Sequence, residues 1–221
     1  ATGATRWQRP IGAAYMEPSG GNGPRATPTV DGDRVIALTP KGVLAALERS
    51  TGEIVWKRDL QKELGGQVPE WGYSASPLVY RGRVYLEVGG KDGHGLVAFS
   101  RADGTVMWKQ GDYEVSYASP VLLTLSGAPQ VVFYTAGRAV GTAPEDGRVL
   151  WQAPWRIRYG LHIATPLYVP PNSVFLAAGY GVGGTLFDIK RTGKGLKASP
   201  RWKSRRMRNR LSTSVLVGGY L

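Results

Sequence analysis

The sequence predicts an all-β protein, a propeller of four-stranded antiparallel blades, with about four blades present in 221 residues. Three observations carry that expectation. Tryptophan recurs at an almost even stride, at Trp7, Trp56, Trp108, Trp151 and Trp202, with separations of 49, 52, 43 and 51 residues. Three of these close near-copies of one phrase, TGEIVW (51–56), DGTVMW (103–108) and DGRVLW (146–151). A second phrase keeps the same beat half a period later: ATPTV (26–30), ASPLV (75–79), ASPVL (118–122) and ATPLY (164–168), with a degenerate STSVL at 212–216. Two phrases that hold their phase over four periods mean an array of similar units, and such periods mark solenoids and propellers.

Each unit parses into four short strands. In the unit from Tyr73 to Trp108, SASPLVY is apolar and ends at a turn at Arg81-Gly82. RVYLEV (83–88) alternates with period two, as a half-buried strand does. After a glycine-rich loop (89–93), GLVAFS (95–100) is a third strand. Asp103-Gly104 then makes a hairpin whose twist suits the flanking strands, and TVMWKQ is the fourth. The first unit reads TPTV, RVIALT, VLAALE, EIVWKR; the third PVLLTL, QVVFYT, AVGTA, RVLWQA. The fourth reads PLYV, SVFLAA, TLFDI and, after a long solvated basic loop, a poorly matching RWKS. No segment has helical apolar spacing over a helical length. The expected blades are 24–60, 73–110, 117–153 and 163–204, flanked by a last strand alone at 1–10 and a first strand alone at 212–221. Because the beat is cut mid-unit at both ends, the expected object is an open arc of a seven- or eight-bladed ring, with a closed four-bladed ring as the structural alternative.

Tryptophan on the outermost strand of each blade has a physical use. An indole buries on the order of 150–250 Å² and keeps an N–H for a neighbouring carbonyl. Trp7, Trp56, Trp108, Trp151 and Trp202 are therefore expected to dock one blade on the next.

The run Ala46-Leu47-Glu48-Arg49-Ser50-Thr51-Gly52, followed by Trp56, resembles the tryptophan-docking motif of PQQ-like repeat propellers. That superfamily includes the quinoprotein alcohol dehydrogenases and the non-catalytic lipoprotein B of the outer-membrane β-barrel assembly machinery. The stretches GPRATPTVDGDRVIAL and WGYSASPLVYRGRVYLEVGGKDG are similar to exported bacterial repeat proteins of this kind. The resemblance implies a periplasmic or extracellular binding or scaffolding module with protein partners. It implies as alternative a dehydrogenase using PQQ with Ca²⁺. That chemistry wants a calcium ion on hard oxygen ligands, and the acids near the expected channel (Glu70, Asp92, Glu114) do not form the class's calcium motif. The alcohol-oxidising class also carries a vicinal disulfide, and this chain has no cysteine. No cofactor is therefore predicted.

Composition excludes more than it selects. Without cysteine there are no disulfides, thiolate metal sites or cysteine nucleophiles. His94 and His162 are the only histidines and form no metal-like pair, so no metal site is expected. No apolar run is long enough to cross a membrane as a helix, and no signal peptide is visible. The net charge of +12 is local: residues 1–188 hold 18 Lys/Arg against 16 Asp/Glu, whereas 189–221 hold 10 Lys/Arg and no acid. Ten cations between Lys190 and Arg210 suit an anionic glycan or other polyanion. No recognised nucleic-acid module accompanies them, so no specific nucleic-acid partner is expected.

Loops entering the innermost strands and loops between the middle strands converge on one end of a propeller channel. The expected channel-mouth residues are Trp71, Tyr73, Lys91, Asp92, Tyr117, His162, Arg208 and Asn209. Aromatics and cations on loops over a rigid scaffold are where binding usually sits.

Overall fold

The computed structural model describes residues 2–221. Four sheets follow one another along the chain, each a four-stranded antiparallel meander. Blade 1 holds β1 (Thr29–Asp31), β2 (Arg34–Leu38), β3 (Val43–Glu48) and β4 (Ile54–Asp59). Blade 2 holds β5 (Leu78–Tyr80), β6 (Arg83–Glu87), β7 (Leu96–Ser100) and β8 (Val106–Gln110). Blade 3 holds β9 (Val121–Leu125), β10 (Ala128–Thr135), β11 (Gly137–Thr142) and β12 (Val149–Trp155), and blade 4 holds β13 (Leu167–Val169), β14 (Ser173–Ala178), β15 (Gly183–Thr192) and β16 (Gly195–Ser204). The blades stand in a partial propeller rather than a closed barrel. A single α-helical turn, α1 (Leu60–Leu64), interrupts the all-β pattern after β4. The Asp59 side chain caps it by accepting from the N–H of Lys62, and Gly65 ends it in the left-handed region.

Apolar clusters fill the clefts between neighbouring blades. Ile36 and Leu38 of blade 1 meet Val84, Leu86 and Phe99 of blade 2, while Tyr85 and Ala98 turn the other way to meet Val131 and Phe133 of blade 3. The period-two pattern of β6 thus serves two cores. The strand is buried on both faces rather than half-buried, and Glu87, on the blade 3 side, is buried with it.

The tryptophan phrase has a backbone cause. In every blade the outermost strand carries one extra residue immediately before the tryptophan: Val55, Met107, Leu150 and Arg201. Such a bulge bends the strand and re-aims the next side chain. Val55 and Met107, the extra residues, stay exposed at 42% and 47%.

Three indoles then span a cleft in one geometry. Trp7 Nε1 donates to the Arg49 carbonyl at 2.9 Å, Trp56 Nε1 to the Arg101 carbonyl at 2.8 Å, and Trp108 Nε1 to the Pro144 carbonyl at 2.9 Å. Each ring lies on the glycine three residues beyond its acceptor, Gly52, Gly104 or Gly147. A Cβ there would come within 2.5–2.6 Å of the indole. Arginine two residues after the tryptophan adds a second clasp, Arg9 Nε to the Gly52 carbonyl at 3.0 Å and Arg58 Nε to the Gly104 carbonyl at 2.8 Å.

Trp151 and Trp202 depart from the expected geometry. Trp151 Nε1 donates at 2.7 Å to Gln130 Oε1 inside its own blade, and Trp202 packs on Phe175 of its own blade, with ring centroids 5.6 Å apart. The reason lies in blade 4. Its third and fourth strands continue past the position of the Thr-Gly or Asp-Gly turn, pairing from Ile189–Ala198 out to Thr192–Gly195. Where the sequence reads a long loop there is an extended hairpin, with neither the glycine seat nor the turn carbonyl that Trp151 would need.

The second phrase also has a role. The N–H of Thr27 donates to Ser76 Oγ at 3.1 Å, that of Ser76 to Ser119 Oγ at 2.8 Å, and that of Thr165 to Thr213 Oγ1 at 3.1 Å. The hydroxyl residue between alanine and proline links one innermost segment to the next. Through Thr213, residues 212–216 join this inner row beside blade 4.

Candidate functional site

The loops that enter the innermost strands gather at one end of the arc, over a cleft of about 520 Å³. One wall is Trp71 and Tyr117, whose rings lie 5.8 Å apart at 52°. Trp71 Nε1 approaches Ser19 Oγ at 3.4 Å, so the segment before β1 closes this side. Tyr117 is fixed through its backbone, with its N–H on the His162 carbonyl at 3.1 Å and its carbonyl taking Ser74 Oγ at 3.2 Å. The opposite wall is Tyr180 with Arg210. The guanidinium stands 4.9 Å from the ring centroid, and its Nε donates to the phenol oxygen at 3.1 Å. Leu161 and Ile163 also line the cleft, and Arg25 stands at its other rim. Arg25 itself donates to the carbonyls of Gly20 and Gly21.

The structure divides the sequence-predicted residues. Trp71 and Tyr117 meet as cleft wall. Tyr73 is not available to a ligand: it is 1% exposed and its hydroxyl donates to the Val88 carbonyl at 2.6 Å. Burial alone pushes its phenol far up. His162 is fully buried, its ring edge-on to Tyr134 at 4.6 Å and its two nitrogens 2.8 and 3.0 Å from the carbonyls of Trp155 and Gly160. Burial holds this imidazole below its ordinary value, against the pull of those carbonyls.

Lys91 and Asp92 form a turn of their own. The Lys91 carbonyl takes the N–H of His94 at 3.1 Å and the Asp92 carbonyl takes Lys109 Nζ at 2.8 Å, away from the cleft. Arg208 and Asn209 turn to local partners, the Arg205 carbonyl at 3.1 Å and Ser214 Oγ at 2.6 Å. Arg210 and Tyr180 take the place expected of them. Tyr180 holds a positive φ of 56° in a glycine-rich turn, a backbone state that a non-glycine residue seldom adopts.

Beneath the loops lies a second polar feature that sequence reasoning missed. Glu87 of blade 2 accepts the backbone N–H groups of Ser116 at 3.1 Å and Tyr134 at 3.0 Å, both from blade 3. Burial pushes its carboxyl up to about 8, opposed by those two donors. Ser116 in turn holds the loop before β13, its Oγ donating to the Gly160 carbonyl at 2.7 Å and accepting the N–H of His162 at 2.9 Å. Two titratable groups of this end, Glu87 and His162, are thus spent on fixing loops.

The cleft lining contains no carboxylate. It therefore does not offer the hard oxygen set that calcium with a quinone requires.

Comparison with known proteins agrees with the fold. The family model of outer membrane protein assembly factor BamB matches residues 1–221. The BamB of Pseudomonas aeruginosa is 39% identical over 41 residues, 19% of this chain and 11% of that protein. The crystal structure of BamB from Moraxella catarrhalis is similar at 22% identity, with a TM-score of 0.53, over 71% of this chain and 46% of that one. Quinohemoprotein alcohol dehydrogenase from Comamonas testosteroni is similar at 16% identity, with a TM-score of 0.55, over 84% of this chain and 35% of that one. The chain thus spans less than half the length of these solved relatives. Its tryptophan phrase, its blades and the match along its whole length place it in the BamB family of PQQ-like repeat β-propellers.

Proposed function

We propose that this chain is a non-enzymatic docking module that acts outside the cytoplasm, in the periplasm or at the outer membrane, and holds partner proteins in an assembly role of the BamB kind. The observation that supports this reading is the make-up of the cleft. Its walls are aromatic and Arg210 stands on one rim, with Arg25 on the other paired to Glu17 at 3.5 Å, while His162 and Glu87 are buried in loop-fixing hydrogen bonds. Tryptophan, tyrosine and arginine are the residues that anchor protein–protein contacts. The cleft has room for one or two side chains of an extended segment, and the backbone bonds that fix Tyr117 hold one wall in place before a partner arrives, which lowers the entropic cost.

The test uses the role that the family's name carries, outer-membrane protein assembly. An outer-membrane protein kept unfolded in urea is diluted onto the chain carrying a photo-crosslinking residue at Tyr180, or at Gly127 on the opposite end as control. The expected result is adduct at 180 and little at 127. Equal adduct at both positions would sink the cleft reading. Dye reduction on adding PQQ, Ca²⁺ and an alcohol would overturn the non-enzymatic one.

A further inference from the structure

We propose that the basic edge formed by the β15–β16 hairpin and residues 205–208 binds a linear acidic polysaccharide. It is separate from the aromatic cleft and does not depend on the reading given for it. The hairpin has nine residue pairs against four to six in the corresponding hairpins of the other blades, and the extension carries Lys190, Arg191, Lys194 and Lys197. At about 3.3 Å per residue the ten residues of β16 run roughly 30 Å, and cations recur along them and on to Arg208.

Contacts within the chain account for part of this charge. Lys190 and Arg201 both pair with Asp188, at 3.4 and 2.6 Å. Arg191 donates to the Ser126 carbonyl at 3.2 Å and so ties the hairpin to blade 3, while Lys203 stands 5.4 Å over the ring of Trp155. Lys194, Lys197, Arg205 and Arg206 are exposed and have neither a carboxylate nor a ring against them among the described residues. Lys197 lies directly opposite Lys190 in register. Like charges in that relation destabilise a strand pair, and an anion lying between them reverses the sign of that term.

The geometry also separates classes of polyanion. A single-stranded nucleic acid is held by bases stacked on a series of exposed aromatics, but Trp202, the aromatic of β16, is turned in against Phe175, which leaves Tyr220 alone beside Arg201. A bilayer surface is held by cations together with inserted apolar side chains. Here Leu196 and Ala198 are on the other face, packed into the core between blades 3 and 4. What remains is a row of cationic head groups along an outer strand and the bend that follows it, which suits charges repeating along an extended chain.

The test compares two variants of the full chain with the same change in net charge. One carries Lys194→Gln, Lys197→Gln, Arg205→Gln and Arg206→Gln; the other carries Arg6→Gln, Lys41→Gln, Lys57→Gln and Lys62→Gln. Probes are fluorescent heparin and polygalacturonate, oligo-dT, and phosphatidylcholine vesicles containing phosphatidylglycerol. The expected result is roughly tenfold or greater weakening of polysaccharide binding, with a shallower salt dependence, in the first variant alone. Circular dichroism should be unchanged in both. Equal weakening in the two variants, tighter binding to oligo-dT or vesicles than to either polysaccharide, or no binding to any probe would overturn the proposal.

Discussion

Trp151 folds back onto Gly141 of its own blade, where any β-carbon would overlap the indole nitrogen. Trp56 and Trp108 lie instead on glycines of the following blade. The difference follows from the blade that receives each ring, not from the tryptophan phrase, which is intact at DGRVLW. With the receiving turn of blade 4 drawn out into a hairpin, Trp155 fills the cleft, edge-on to Phe187 at 5.9 Å.

This relationship makes glycine substitutions informative. Gly82 (φ 71°) and Gly104 (φ 72°) both adopt the left-handed backbone, but a Cβ at Gly82 meets open space and one at Gly104 meets the Trp56 ring. Gly82→Ala should cost about 1–2 kcal/mol for backbone strain alone. Gly104→Ala should cost that and about 1–3 kcal/mol more for overpacking. Gly141→Ala, where φ is not positive, should carry the packing cost by itself. Denaturant melts of the three variants check the order, and equal losses at Gly82 and Gly104 would deny the indole its seat.

The inner row of hydroxyls makes a second expectation. Ser119 Oγ takes the N–H of Ser76 from the previous blade, so Ser119→Ala leaves that donor without its partner. The cost should be about 1 kcal/mol, while Ser119→Thr should be close to neutral. Amide exchange at Ser76 is the direct readout, and it should speed up in the alanine variant alone.

Much of the architecture was legible because it repeats. The period placed the blades, and the turn dipeptides at Thr51-Gly52 and Asp103-Gly104 placed the hairpins that receive the indoles. What could not be read is what breaks the repeat. Lys190 to Ala198 carry no period-two apolar pattern, since one face rests on blade 3 and the other meets water with lysines, so the extension read as loop. The cleft was legible in part. Trp71 and Tyr117 were visible as aromatics on converging loops, but Tyr73 and His162 share that composition and point inward, and composition does not encode direction. Arg208 and Arg210 likewise differ only in which way the chain turns after Arg205. Glu87 was hidden by its strand, where it read as the polar member of an alternation.

Trp71 and Tyr73, two residues apart, should separate binding from folding. Trp71→Ala should leave the melting midpoint nearly unchanged and weaken partner binding by about 2 kcal/mol or more, as loss of an anchoring aromatic does. Tyr73→Ala should cost about 3–5 kcal/mol of stability, because it empties a buried site and strips the Val88 carbonyl of its donor. A Trp71→Ala variant that bound partner as tightly as the parent would remove the cleft from consideration.

Glu87 makes stability depend on pH in a direction that can be worked out. Its ordinary carboxyl value is 4.5, and burial raises it to about 8 in the folded chain, with the N–H groups of Ser116 and Tyr134 pulling the other way. Between those two values the folded chain holds a proton that the unfolded chain releases. Stability therefore falls as pH rises through that window, and levels off above about 8. Urea melts at pH 5 and pH 8 should show the parent losing stability, on the order of a few kcal/mol, relative to Glu87→Gln over the same interval. The glutamine variant has no proton to lose there. It should nonetheless be less stable than the parent at pH 5 by about 1–3 kcal/mol, because its amide group turns one donor toward another. Parallel pH curves for parent and variant would mean that the two backbone donors outweigh burial and hold Glu87 ionised throughout. The carboxylate would then be a charged clasp between blades 2 and 3 rather than a protonated one.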